Sequence, residues 1–367
     1  MSGAPDVAVV GAGIAGCAVA ALLAERGAAV AIFERDDVAA AASGRNSGLL
    51  QQPLAADLAA LHAPSLDLYR ETGLALPDDP TGLLFVSDEP GGEQALAAAL
   101  AEELPGCAVS ALDEAALRQL EPALAPGLVG CLAATGHPVR PASATRAFAE
   151  RARRAGTSLA RGCEVRPVVR EGRAVGVVDR AGVVSPAGAV VVAAGPWSAR
   201  LVDPTGRWAP LLARWGATVE LALAAPPRLP IEEAGVAAGT SGGDALAFSM
   251  VTSDGATVLG SSFGAEEPGP PVAEAVRRHG ERFVHGVMDA AVVETRACIR
   301  PMSIDGRPIL GPVSGVEGLH VLTGHGPWGL SIGPATAALV ATALLGGAAI
   351  DASLAAARFG PPPEPAG

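Results

Sequence analysis

The stretch DVAVVGAGIAGCAVAALLAERGAAVAIFERDD, Asp6 to Asp37, constrains the fold more than any other. Val7 to Val10 is an apolar run suited to a short buried strand. Ile14 to Arg26 has helical periodicity, Gly27 offers a cap, and Ala29 to Phe33 reads as a second strand. Between strand and helix, GAGIAG places Gly11, Gly13 and Gly16 in the G-x-G-x-x-G spacing. In that context the first glycine permits a tight turn and the second lets backbone approach a pyrophosphate. The third lets the helix pack close on the strand. The helix start, Ile14 and Ala15, then presents N–H groups and a positive dipole end to the diphosphate. Glu34 closes the second strand, where a carboxylate accepts hydrogen bonds from an adenosine ribose and repels a 2′-phosphate. The segment predicts a bound dinucleotide other than NADP.

The rest of the composition narrows the class. A chain of 367 residues exceeds what one simple core holds, so two domains are expected. The net charge is −12 and every basic side chain outside histidine is an arginine. An acidic chain without a basic cluster is a poor candidate for nucleic acid or an anionic membrane. Cys17, Cys107, Cys131, Cys163 and Cys298 are scattered with no C-x-x-C pair, against a zinc site or a disulfide framework; no metal is expected. No basic region and apolar run precede the first strand, and the longest apolar run, Ala335 to Leu345, is short of the roughly 20 residues that span a bilayer. A cytoplasmic protein without a transmembrane segment is the expectation.

Two dinucleotides, FAD and NAD, remain open at the motif itself. After the second strand the chain runs into SGRNSG, Ser43 to Gly48, rather than into a compact βαβ alternation. The next strongly buried strand, Val190 to Ala194, is more than a hundred residues away, as in a nucleotide domain interrupted by another domain. A strand is expected at Leu83 to Val86, and helices at Glu93 to Leu104, Ser143 to Ala155 and Val272 to Met288. The tail Gly318 to Gly347 reads as strand, glycine loop, helix.

Four blocks together resemble the FAD-dependent D-amino-acid oxidase superfamily, which includes glycine oxidase, sarcosine oxidase and D-amino-acid dehydrogenase. They are VVGAGIAG…FERDD, SGRNSG, VVVAAGPWS and IRPMSIDGRPILG…GLHVLTGHGPWGLSIGPATA, spanning Val7 to Ala337. The stretch Gly136 to Gly156 is similar to the segment that re-enters the FAD domain in that family. The resemblance implies an α/β fold: a discontinuous Rossmann-like FAD-binding domain (1–82, 137–207 and 294–367) and an α+β substrate-binding domain on an antiparallel sheet (83–136 and 208–293). It implies FAD contacts from Glu34 and Arg35, from Ser43, Arg45, Asn46, Ser47 and Gly48, and from Val165, Gly195 and Trp197. The last block adds Gly324, His325, Gly326, Gly329, Leu330 and Ser331, where glycines let backbone run against the flavin ring and a helix points its N-terminus at it.

The resemblance further implies oxidation of the C–N bond of a small amine or amino acid (a D-amino acid, glycine or an N-methyl amino acid). Hydride passes to flavin N5 and the imine hydrolyses, with O2 or a redox partner as electron acceptor. Arg300, in Arg-Pro-x-x-x-Asp-Gly, stands where glycine oxidase and D-amino-acid dehydrogenase clamp the substrate carboxylate, a task that suits the planar guanidinium fork. The alternative for Arg300 is an ion pair with Asp305 or Asp289. Gln51, Gln52 and Trp328 are candidate substrate-side residues, as are Trp215, Glu220, Phe248 and Met250, each with core or surface placement as the alternative. Cys298 lies seven residues before Asp305, the register of the cysteine that sarcosine oxidases link to flavin. The Arg-Pro that follows departs from those enzymes, so non-covalent FAD is favoured over a bond to Cys298. The competing functions are an NAD-dependent Rossmann dehydrogenase and a non-catalytic flavin-binding subunit of an amine dehydrogenase complex.

Overall fold

A computed structural model describes residues 4–89, 91–234 and 245–362. Parts of the expected domains, residues 1–3, 90, 235–244 and 363–367, lie outside the described residues. Two large sheets organise the chain. The first has six strands in the order Ile309–Pro312, Leu319–Thr323, Ala189–Val192, Val7–Val10, Val30–Phe33, Ser158–Ala160. All of its pairings are parallel except the edge pair of Ile309–Pro312 with Leu319–Thr323. The central strand is buried at all four residues, as a parallel strand covered on both faces must be. A three-stranded antiparallel meander, Val165–Arg170, Arg173–Asp179 and Val184–Pro186, follows the Pro141–Arg154 helix.

The first helix, Ile14–Glu25, is buried along nearly its whole length and packs against the terminal helix Gly329–Leu344 and against Pro141–Arg154. It is apolar all round because helices and sheet cover every side of it. The terminal helix, taken with the 3-10 turn Gly326–Trp328 that leads into it, is long and apolar enough by length and composition to cross a membrane. The apolar run at Ala335 to Leu345 understated it because the helix begins at Gly329, ahead of Gly333 and Pro334, and the turn extends it further. In the fold much of it belongs to the same buried cluster as the first helix.

The second sheet has eight strands: Ala291–Ser303, Leu211–Ala222, Ala256–Phe263, Ala245–Ser253, Ile231–Glu233, Leu83–Ser87, Val129–Ala133 and Val109–Leu112. It is antiparallel apart from the pairing of Ile231–Glu233 with Leu83–Ser87. Its outer face packs on the helix Val272–Glu281, with Phe248 stacked on Phe283 at 4.5 Å. That helix ends short of the expected Met288, and the chain turns at Gly286, which has φ +82°. The strand Ala291–Ser303 crosses the domain boundary expected at 294 and hydrogen-bonds along the whole of Leu211–Ala222. Cys298 and Arg300 therefore sit on a long strand of the second sheet, not in a loop.

Candidate active site

A cavity of about 750 Å³ lies between the two sheets, and both helix starts open onto it. At one end, Val7–Val10 gives way to the glycine turn. Gly11 has φ +108° and a side chain there would meet the Ala193 carbonyl at 2.6 Å, so only glycine fits. Ile14–Glu25 begins without a side-chain cap from Gly13 and without an acidic residue in its first turn. Gly329–Leu344 starts in the same way. Two positive helix ends left open to one cavity suit an anionic, electron-accepting ligand.

Glu34 fixes the turn from the side. Its Oε2 accepts from the Ala12 N–H at 2.7 Å and its Oε1 from the Asp36 N–H at 2.8 Å. Beyond it, Arg35 stacks over the Trp197 ring at 4.4 Å, and Val165 and Gly195 complete that wall. The flavin-loop stretch is the short helix Ala42–Arg45 and the turn after it. Ser43 Oγ accepts from the Ile14 N–H at 3.0 Å, beside Gly13. Asn46 closes the turn on itself through the Ala42 carbonyl and the Gly48 N–H, although it also borders the cavity with Ser47. Arg45 is exposed, yet it donates to the Ala297 carbonyl at 3.1 Å and so ties the loop to the arginine strand.

Gly324, His325, Gly326, Trp328, Gly329, Leu330 and Ser331 form the facing wall. His325 is buried, its Nε2 is 2.8 Å from Thr336 Oγ1, and burial pushes its pKa down to about 4, so the imidazole is neutral. Gly16 and Gly48 do not line the cavity. Gly16 packs against the Gly11 carbonyl and Gly48 against the Val139 carbonyl, where side chains would collide.

Arg300 is the arginine that the strand Ala291–Ser303 brings to the cavity wall. Its guanidinium lies across Gly216, where a Cβ would sit 2.0 Å from Nη1. It donates to the carbonyls of Trp215 and Ser262 at 3.3 and 3.1 Å and to Ser261 Oγ at 3.0 Å, and stacks on Phe263 at 4.2 Å. Among the described residues no carboxylate pairs with it. Asp305 pairs with Arg358 instead. Burial lowers the Arg300 pKa from its ordinary value, as befits a cation held only by neutral acceptors. Cys298, one turn of the pleat away, also borders the cavity, and burial raises its thiol pKa.

Of the other substrate-side candidates, Gln51 and Phe248 line the cavity. Gln52 is turned to the Pro105 carbonyl, Met250 is fully buried core, and Glu220 is paired with Arg140 and Arg296. Trp215 contributes its carbonyl to Arg300 rather than its ring to the cavity. Sequence reasoning passed over Gly216, Ser261 and Phe263, which seat the arginine, and Glu232, a carboxylate in the cavity wall.

Comparison with known proteins settles the lineage. The family model DAO, FAD dependent oxidoreductase, matches residues 6–343. The chain belongs to this family. Its cofactor class is therefore FAD, which sets NAD aside, and the chain is an FAD-dependent oxidoreductase. Glycine oxidase of Pseudomonas putida is 29% identical over 93% of this chain and 94% of its own length. Glycine oxidase of Pseudomonas aeruginosa is 32% identical over 50% of this chain, an alignment that spans 49% of that enzyme. The solved glycine oxidase of Geobacillus kaustophilus superposes with a TM-score of 0.80 at 25% identity, covering 99% of each chain.

The neutral state of His325 gives this DAO-family enzyme a testable pH dependence. A histidine whose folded pKa is depressed contributes stability that is complete above the unfolded value of about 6.5 and is lost as pH falls toward about 4. Unfolding free energies measured between pH 7 and 4.5 should decline less steeply in a His325→Gln variant than in the parent. Parallel curves would contradict the buried neutral imidazole.

Proposed function

We propose that this enzyme uses non-covalently held FAD to oxidise the C–N bond of a small amine or amino acid bearing a carboxylate, with Arg300 as the carboxylate clamp. One observation carries the reading: Arg300 is a cation in the cavity wall whose partners are all neutral. Burying a charge without a counter-charge is unfavourable, so the site is suited to an anion brought by the substrate. The guanidinium fork is oriented by three acceptors and a ring beneath it, which leaves its free edge to bind both oxygens of a carboxylate.

The chain's residues fit the cofactor. Gly13, Ile14, Ala15 and Ser43 would hold the diphosphate at the first helix start, Glu34 the adenosine ribose, and Arg35, Val165, Gly195 and Trp197 the adenine side. Arg45, Asn46, Ser47 and the Gly324–Ser331 wall would hold the ring system. Bound there, FAD supplies the two-electron acceptor for a hydride from the substrate's α-carbon. The protein's part is to orient that carbon, which the Arg300 anchor serves. The raised thiol pKa of Cys298 disfavours the thiolate that would attack the ring, in keeping with non-covalent FAD.

Three experiments follow. Acid precipitation of the flavin-loaded protein should leave all the yellow colour in the supernatant; colour in the pellet would mean a covalent link. Anaerobic mixing with glycine, sarcosine and D-amino acids should bleach the flavin with at least one of them. Readmitted air then shows whether oxygen or a redox partner takes the electrons. An Arg300→Leu variant should keep its FAD but lose about a hundredfold or more in apparent substrate affinity, given about 3 kcal/mol for a buried charge-assisted pair. Unchanged kinetics would remove Arg300 from this role. Bleaching by none of the amines would favour a non-catalytic flavin-binding subunit.

A further inference from the structure

The cavity that Arg300 borders has an acceptor side as well. Glu232, in the short strand Ile231–Glu233, presents its carboxylate to the cavity. Its neighbour Glu233 is committed elsewhere, to His279 Nε2 at 2.6 Å and the Phe248 N–H at 3.0 Å. Glu232 Oε2 accepts from Gln51 Nε2 at 3.3 Å. Gln51 is only 5% exposed, its backbone N–H is taken by Ser331 Oγ, and its own Oε1 is buried without a hydrogen-bond partner. The amide is oriented by the carboxylate, which can only accept when ionised, so the orphan oxygen is an acceptor in want of a donor.

The sheet register places this pair opposite the arginine. Glu232 pairs with Ser249 and Ser249 with Gly260. Arg300 donates to Ser261 Oγ and the Ser262 carbonyl, the two residues that follow Gly260. The acid thus stands two strand spacings from Ala256–Phe263, whose Ser261 and Ser262 accept from the guanidinium, and three from Gly216, across which it lies, roughly 10 to 14 Å between backbones at about 4.8 Å per spacing. An amine and a carboxylate borne on one carbon, each hydrogen-bonded at about 2.9 Å, are of the size that fills such a gap.

We propose that Glu232, held by Gln51, binds the amine of a small zwitterionic amino acid whose carboxylate Arg300 holds, and accepts one proton from it. The inference rests on the reading of Arg300 above. The step is a proton transfer alone: one N–H bond of the ammonium breaks, one O–H bond forms on Glu232, and the nitrogen regains its lone pair. That lone pair is what allows the α-carbon to release a hydride. Burial raises the Glu232 pKa to about 7, with the Gln51 hydrogen bond opposing it, and so brings the acid nearer to an amine. On the strands flanking it Glu232 faces Ser249 and Phe85, neither of them titratable. The charged or titratable groups sharing the cavity wall are Arg45, Glu103, Cys298, Arg300 and His325, with Glu34, Arg35, Asp36, Cys163, Glu164 and Arg200 also in its lining and Glu233 engaged by His279.

The test uses the FAD-loaded enzyme, its Glu232→Gln, Glu232→Asp and Arg300→Leu variants, and two kinds of probe. Propionate, a carboxylate without an amine, is titrated by its perturbation of the flavin spectrum. Glycine, sarcosine and D-alanine are used to reduce the flavin anaerobically between pH 5.5 and 9. Glu232→Gln should keep its flavin and bind propionate as the parent does. Its reduction by the amino acid should be slower by about a hundredfold or more, with loss of the limb that rises through about pH 7 in the parent. Glu232→Asp should recover part of the rate and the limb. Arg300→Leu should lose propionate. A parent-like rate and pH profile in Glu232→Gln, with propionate still dependent on Arg300, overturns the amine role and leaves the clamp standing. Propionate binding that ignores Arg300, or no reduction by any of the three amino acids, overturns the clamp and this inference with it.

Discussion

The first helix, Ile14–Glu25, and the last, Gly329–Leu344, leave the same edge of one parallel sheet and pack against each other. Their strands, Val7–Val10 and Leu319–Thr323, flank Ala189–Val192, so both helix starts are brought to the carboxyl ends of the strands. Open α/β sheets bind their ligands at that edge. Contact between the helices is close: a side chain at Gly333 would meet Ile14 Cγ2 at 3.4 Å. Two positive ends without an acidic residue in the first turn, separated only by this packing, leave one cavity with a field that favours negative charge. The rest of the site elaborates that arrangement.

The second sheet supplies what the first cannot. A doubly covered parallel sheet offers backbone and dipoles, whereas the antiparallel sheet projects side chains into the cavity at alternate positions. Gly216, Thr218, Cys298 and Arg300 share the inward face through the pairing of Leu211–Ala222 with Ala291–Ser303. The absence of a side chain at Gly216 lets the Arg300 guanidinium lie flat against the sheet, hydrogen-bonded to three neutral acceptors. Thr218 Oγ1 donates to the Arg45 carbonyl and Arg45 donates to Ala297, so the loop of the first sheet is laced to the arginine strand of the second.

Much of this was legible in the residues. The strand–turn–helix at Val7 to Arg26 follows from periodicity and glycine spacing, and Gly11 and Gly16 occupy the crowded positions that the motif assigns them. Residues Ser43 to Ser47 and Gly324 to Ser331, far apart in the chain, border one cavity. What local pattern could not show was strand pairing. The stretch Cys298 to Gly311, dense in proline and glycine, reads as a loop, yet its first half completes a 13-residue strand because Leu211–Ala222 is there to pair with it. The same pairing moves the arginine strand into the second sheet and past the boundary expected at 294. Glu232 was passed over for a related reason. In a short polar-flanked run a glutamate looks like surface, and only the strands on either side, Ala245–Ser253 and Leu83–Ser87, enclose it.

The central claim is that one cavity between the sheets seats the flavin at the last helix and the substrate carboxylate at Arg300. A crystal structure of the FAD-loaded enzyme with acetate tests it most directly. The expected result is an isoalloxazine ring against the Gly324–Ser331 wall and an acetate with both oxygens about 3 Å from the Arg300 guanidinium. A flavin seated elsewhere, or an acetate bound in the cavity without touching Arg300, would contradict it.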